Sequence, residues 1–219
     1  MAHRFAIAVL FALLAGNAHA QVGALAVTVH TPAGTPVADA VVVAVPIDPA
    51  GMPPARPRAE QLDQIDKEFV PKVKPVYVGS TVAFPNKDTV RHHVYSFSPA
   101  KRFELPLYAG MPSQAVLFDK PGVVVLGCNI HDWMIGYIYV SESPYFAKTD
   151  AEGNALMADL PARRYTVRVW HAEQEGTEEA TRAPVEVGAG QRVEKTWTLA
   201  LKPEVRVRRA PSASHSGHY

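Results

Sequence analysis

Residues 123–140 read VVVLGCNIHDWMIGYIYV, and the way this stretch folds decides how the rest of the chain is understood. Val123–Leu126 is a continuous apolar strand led in by the turn residues Asp119-Lys120-Pro121-Gly122, and Tyr137–Val140 is a second strand. Gly127 and Gly136 bracket the residues between them, so the pattern predicts strand, tight loop, strand. Cys128, His131 and Met134 fall at every third position across that loop. On a strand, spacing by threes would scatter these side chains to both faces, whereas a loop can turn all three toward one point.

Cys128 is the only cysteine of the chain, and the N-terminus makes its presence unusual. The opening MAHRFAIAVLFALLAGNAHA has a positive Arg4, a short apolar run over Phe5–Gly16 and a small-x-small site at Ala18-His19-Ala20. That is the pattern of a cleaved signal segment over residues 1–20. The run is too short to span a bilayer, which needs roughly 20 apolar residues. The chain is therefore expected to be periplasmic or secreted, with no membrane span after cleavage. In an oxidising compartment a lone thiol is an inert core residue, an intermolecular link or a ligand.

Composition narrows the classes. Of 22 basic residues one, Arg4, lies in the leader, leaving basic and acidic residues balanced against the 21 acids, so no basic face invites nucleic acid. With 47% hydrophobic residues the chain can bury a large core, and 19 prolines with many Val-rich runs argue against long helices. Short strands bounded by turn residues are expected at 25–30, 40–45, 76–84, 93–97, 115–118, 123–128, 137–140, 165–170, 184–187 and 193–201, predicting an all-β sandwich or barrel. One helical piece is expected at Ala59–Lys67, after a Pro-rich linker. The polar tail from about Arg206, with His215 and His218, is expected to be disordered.

A thiolate, an imidazole and a thioether brought together make a soft site. One more imidazole would give two histidines and a thiolate with a weak axial methionine, a donor set suited to electron-transfer copper. The candidate lies in Asn86-Lys87-Asp88-Thr89-Val90-Arg91-His92-His93-Val94, where a polar turn ends and a strand begins. His92 and His93 face opposite sides of that strand.

These motifs resemble the cupredoxins, the small blue copper proteins. The C-x-x-H-x-x-M loop is similar to the short ligand loop of amicyanin, Asn86–Val94 resembles the stretch carrying the first histidine ligand, and Phe118–Gly122 resembles the F-x-x-P-G turn before the cysteine strand. The resemblance covers roughly Phe69 to Val140 and extends to methylamine-utilisation-type exported cupredoxins. It implies a Greek-key sandwich holding one type 1 copper ion through His92, Cys128 and His131, with Met134 axial. The step of six from Asn86 favours His92 over His93, which then stands where such proteins usually carry asparagine and is expected to be an exposed strand residue. Trp133 reads equally as a docking residue or as a lid, and His171 as a strand-end residue outside the site.

The flanks look like a second sandwich. Gly34, Pro36, Val37, Ala40 and Val42, with Thr149, Asp150, Gly153, Leu160, Pro161 and Tyr165, resemble the carboxypeptidase regulatory-like pattern, although Arg164 replaces its usual glycine. The expected order is a signal segment 1–20, a split regulatory-like sandwich 21–46 and 143–203, a linker 47–68, a cupredoxin domain 69–142 and a tail 204–219. An extended cupredoxin with extra edge strands is the plainer alternative.

The resemblance implies a carrier of single electrons, not an enzyme, exchanging with an exported redox protein such as a c-type cytochrome or a dehydrogenase. The edge of His131 is the expected exit. The alternatives are a periplasmic copper carrier or tolerance protein using the same ligands, a metal-free structural or carbohydrate-binding sandwich, and a cysteine hydrolase. The last explains neither Met134 nor Asn86–Val94, and no helix N-terminus stands beside Cys128 to activate it.

Overall fold

The computed structural model describes residues 21–50, 56–112 and 114–203. The expected signal segment, residues 51–55 of the expected linker and the tail from 204 lie outside the described residues. The strands are β1 (Val22–His30), β2 (Val41–Pro46), β3 (Ala59–Gln61), β4 (Asp63–Ile65), β5 (Glu68–Val70), β6 (Val73–Tyr77), β7 (Ser80–Ala83), β8 (His92–Ser98) and β9 (Lys101–Tyr108). They continue with β10 (Val116–Phe118), β11 (Gly122–Gly127), β12 (Ile135–Ser141), β13 (Phe146–Lys148), β14 (Asn154–Pro161), β15 (Arg163–Trp170), β16 (Ala183–Val187) and β17 (Arg192–Thr198). The chain is all-β, as its prolines and β-branched runs predict. Among the described residues no helix is long and apolar enough to cross a membrane.

Four sheets enclose two main cores. Sheets β14-β1-β17 and β13-β2-β15-β16 close over Leu25, Val27, Val42, Leu160, Tyr165 and Trp197. Sheets β10-β7-β3 and β6-β12-β11-β8-β9 close over Leu62, Phe84, Phe118, Leu126, Cys128 and Met134. The chain leaves the first sandwich after β2 and returns at β13, and these two strands pair with each other, Val43 opposite Phe146. Everything between them forms the second, inserted sandwich.

Two residues that carried the flanking pattern, Thr149 and Tyr165, each satisfy a backbone need. The Thr149 hydroxyl accepts from the Ala40 N–H and donates to the Val37 carbonyl, both at 2.8 Å. Tyr165 donates to the Pro161 carbonyl at 2.6 Å, locking the turn between β14 and β15. Replacing Thr149 by isosteric valine strands two buried backbone groups and is expected to cost about 1–3 kcal/mol. Urea unfolding should show a lower midpoint at an unchanged slope.

The sandwiches stack face to face. Strand β2 points Val42 and Ala44 into its own core, while Val41 and Val43 meet Val73, Tyr139 and Trp170 in a third cluster. That two-sided burial is why VVVAV is continuously apolar and does not alternate. Strand β12 does the same, with Ile138 and Val140 facing inward and Tyr137 and Tyr139 against Trp170. At the rim Arg168 spans the junction, 2.6 Å from Glu142 and 2.5 Å from Glu178, and Glu178 also accepts from the Tyr139 hydroxyl.

Three expectations are corrected here. The helix at Ala59–Lys67 is absent, and these residues form β3, β4 and the turn to β5. The linker does not run to 68, because β3 pairs with β7 and Leu62 is fully buried in the inserted core. Asp66 and Lys67 have φ of 54° and 60°, the two-residue turn of a tight hairpin, formed without the glycine or asparagine that usually announces it. The single strand expected at 76–84 is two strands, broken where Gly79 turns the chain from one sheet into the other.

Candidate metal centre

Strands β11 and β12 form a hairpin whose last pair is Gly127 opposite Ile135, and Cys128–Met134 is the loop that closes it. The loop is tight, with the Met134 N–H bonded to the His131 carbonyl at 2.9 Å and the Ile135 N–H to that of Trp133 at 3.1 Å. Strand β8 lies beside β11, with Tyr95 opposite Gly127, and this brings its first residue, His92, to the mouth of the loop.

The three donors converge. The Cys128 sulfur lies 3.9 Å from His92 Nδ1 and 3.8 Å from His131 Nδ1, and all three atoms are within 4.8 Å of one another. Ligands about 2.1–2.3 Å from a common centre and 120° apart would stand about 3.8 Å from each other, and the two sulfur–nitrogen separations match that value. The imidazoles meet edge to face at 4.9 Å. Met134 is buried in the same cluster as Cys128, which is itself only 5% exposed.

The loop before β8 aims His92. Its Nε2 lies 2.6 Å from the Asp88 carboxylate, and that bond leaves the Nδ1 lone pair for the site. Asp88 also accepts the Asp66 and Lys67 N–H groups at 2.7 and 2.9 Å, fastening the β4–β5 turn to the ligand loop. Burial pushes the Asp88 carboxyl up, but the bonds from His92 and the two N–H groups outweigh it and hold it below the usual value. Asn86 fixes the other end, donating to the Val90 and Tyr108 carbonyls at 2.8 and 2.9 Å. Beneath it Tyr108 donates to the Phe84 carbonyl and accepts from buried Gln64, each at 2.5 Å, and burial pushes this phenol up to about 12. His131 is half-buried; burial and the neighbouring His92 ring hold it below the ordinary histidine value, favouring the neutral donor.

Replacing Asp88 by asparagine weakens three charge-assisted bonds and is expected to cost about 1–3 kcal/mol at neutral pH. Since the folded carboxyl is depressed, its contribution is present above the unfolded value near about 3.9 and is lost as pH falls through the folded one. Unfolding curves of the two proteins should therefore converge as pH falls through the depressed folded value; a constant gap would show that the charge is not responsible.

His92, Cys128, His131 and Met134 all lie at this loop or its mouth. His93 faces the other side of the sheet, but the expectation that it is exposed is corrected. It is 7% exposed, packed on Tyr95 at 5.3 Å, with Nε2 2.9 Å from a Glu104 carboxylate oxygen but not aligned for a hydrogen bond. Trp133 leans on His131 at 5.3 Å, and His171 is far off at the junction, receiving the Glu173 N–H at 3.2 Å. Asp88, Gln64 and Tyr108 had no role assigned from sequence. For Asp88 the available signal was its placement four residues before His92.

No described protein family matches the chain, and no curated protein matches it. Among solved structures it is similar to a copper-containing nitrite reductase from Thermus scotoductus SA-01, at 28% identity and TM-score 0.37 over 45% of this chain. The match spans a quarter (25%) of that enzyme. It is also similar to a purple cupredoxin from Nitrosopumilus maritimus, at 24% identity and TM-score 0.34, over 37% of this chain and 99% of that one. A pseudoazurin from Sinorhizobium meliltoi gives 26% identity and TM-score 0.32 over 40% and 76%. Scores this low leave the function to be read from the donor set itself.

Proposed function

We propose that the inserted sandwich is a cupredoxin-type domain in which His92 Nδ1, His131 Nδ1 and the Cys128 thiolate, with the Met134 thioether as a further donor, would hold one copper ion. The protein would carry single electrons between exported redox partners, such as a c-type cytochrome or a dehydrogenase. The observation supporting this most directly is the convergence of a buried thiol and two imidazoles at 3.8–3.9 Å. Soft sulfur with imidazole selects copper over hard cations. When bound, copper supplies reversible one-electron chemistry without bond making in a partner.

The chain's own part is to hold the donors still and dry. Asp88 fixes the His92 ring, the β11–β12 hairpin fixes Cys128 and Met134, and burial of the thiol keeps water from it. His131 alone of the three metal-facing donors is half-exposed, which makes its edge the first exit for an electron. Residues 1–20 are read as a cleaved export signal. The outer sandwich is read as a carboxypeptidase regulatory-like module that buries one face of the copper domain.

Titrating the purified protein with copper(II) tests this. One equivalent should give an intense visible thiolate-to-copper band and a narrow hyperfine pattern in electron paramagnetic resonance, both lost on reduction and regained on reoxidation. A colourless complex would overturn the reading. Copper(I) held without reversible oxidation would favour a carrier instead.

A further inference from the structure

Strand β9 ends the order β6-β12-β11-β8-β9 of the five-stranded sheet and pairs with β8 alone. Its hairpin to β8 fixes which of its backbone groups are used. Ser98 and Lys101 flank the turn Pro99-Ala100, and Pro99 has no N–H, so Ser98 and Lys101 must bond each other. Bonded and non-bonded pairs then alternate along the ladder, so Phe103 spends its N–H and carbonyl on Ser96. Those of Arg102 and Glu104 point away from β8, and no backbone group among the described residues takes them.

The side chains along this edge carry opposite charges on one face. Arg102 and Glu104 are exposed and stand two residues apart, so both project from the outer side of the sheet. Arg102 has no ion pair among the described residues, and the Glu104 side chain is 67% exposed beside His93. Phe97 lies opposite Arg102 and is 74% exposed, and Tyr95 lies opposite Glu104. On the inner side Phe103 is half-buried, packed on Phe84 and Phe118 at 5.7 and 6.1 Å. The other outer strand, β6, is blunted by Pro75 at its centre, whereas β9 has no proline before Pro106.

We propose that β9 pairs antiparallel with β9 of a second copy about a twofold axis at Phe103, giving one continuous sheet across both copies. A strand running against itself about Phe103 sets Arg102 opposite Glu104 of the second copy, and the symmetry repeats the contact. The same register joins the unused N–H and carbonyl groups of these residues. Across the outer face it builds the row Phe97, Arg102, Glu104, Tyr95, whose last two members come from the second copy. Pro106, whose N–H would be the next to point outward, falls opposite Ala100 in the turn, where the pairing ends in any case. Charge is what specifies a second copy over an unrelated strand: β9 complements its own reverse, and two like charges here would repel. His92 and Tyr108 lie at one end of the β8–β9 pair, so the axis sends the two ligand loops to opposite ends of the joined sheet, with neither at the interface. The inference is independent of what the metal centre holds.

Sedimentation velocity of the whole metal-free protein over a dilution series tests this, and a monomer–dimer equilibrium is expected. Arg102→Glu and Glu104→Arg are each expected to weaken the dimer about tenfold, because both cross-strand pairs become like-charged. Combining the two substitutions reverses each pair and is expected to restore the dimer. An equimolar mixture of the single variants is expected to associate more tightly than either does alone, a result that no loss of fold can produce. Amide hydrogen exchange separates edge pairing from packing of faces. Exchange at the Arg102 and Glu104 amides should slow on dimerisation, whereas that of Phe103, already bonded to Ser96, is protected in both states. A protein that sediments as a monomer at every concentration would sink the proposal. So would a dimer indifferent to the charge reversals, or one that leaves the Arg102 and Glu104 amides exchanging freely.

Discussion

Replacing Cys128 by serine is expected to abolish the intense visible band of the copper-loaded protein and to weaken copper binding by more than about 100-fold. The bound is conservative, since removing only an outer partner of a ligand costs about 10–100-fold. A hydroxyl retains the size of the thiol but is a harder, far less acidic donor, so the soft trigonal set at 3.8–3.9 Å loses the member that defines it. The metal-free protein should survive. Cys128 is a small residue at the end of β11, and burying a hydroxyl there costs about 1–3 kcal/mol. Urea unfolding of the metal-free pair separates the two effects. A serine variant that keeps the band would show that the thiol is core filling, and one that fails to fold would show that the loop is structural first.

The site could be read from the sequence because its parts are local. Cys128, His131 and Met134 sit on one hairpin loop, and a polar turn ending in histidine announces the strand that brings His92 to Cys128 and His131. What orients those donors was less legible. Asp88 acts through a hairpin whose turn, Asp66-Lys67, carries no glycine, and the prolines just before it disguised β3 and β4 as linker and helix. The buried Gln64 and Tyr108 satisfy each other and the Phe84 carbonyl, a pairing that no hydrophobic pattern reveals. His93 was expected at the surface because strand alternation places it opposite His92. Alternation gives the face but not what covers it, and the ring of Tyr95 does so.

The same distinction governs the relation between the sandwiches. Runs such as VVVAV in β2 and YIYV in β12 show burial on both faces without saying which surfaces meet. Trp170 is where they meet, its ring 5.8 Å from Tyr137 and 5.5 Å from Tyr139. Trp170→Ala is expected to destabilise the protein by about 3–5 kcal/mol, the usual cost of removing a large buried aromatic. Because the loss falls on the junction, the two sandwiches should also come apart in their unfolding. Wild type should unfold in one urea transition, and the variant in a broader one with a reduced slope, the mark of lost two-state behaviour. A shift below about 1 kcal/mol with the slope preserved would mean that Arg168, Glu142 and Glu178 hold the junction without the aromatic cluster. That outcome is disfavoured by the balance of terms: the pairs of the largely buried Arg168 must repay the desolvation of its charge before they contribute, whereas Val41, Val43, Val73 and Tyr139 are all buried around Trp170. Stability of the inserted sandwich is therefore expected to depend on a surface contributed by the other one, which is a physical reason for the chain to carry the two as one stacked unit.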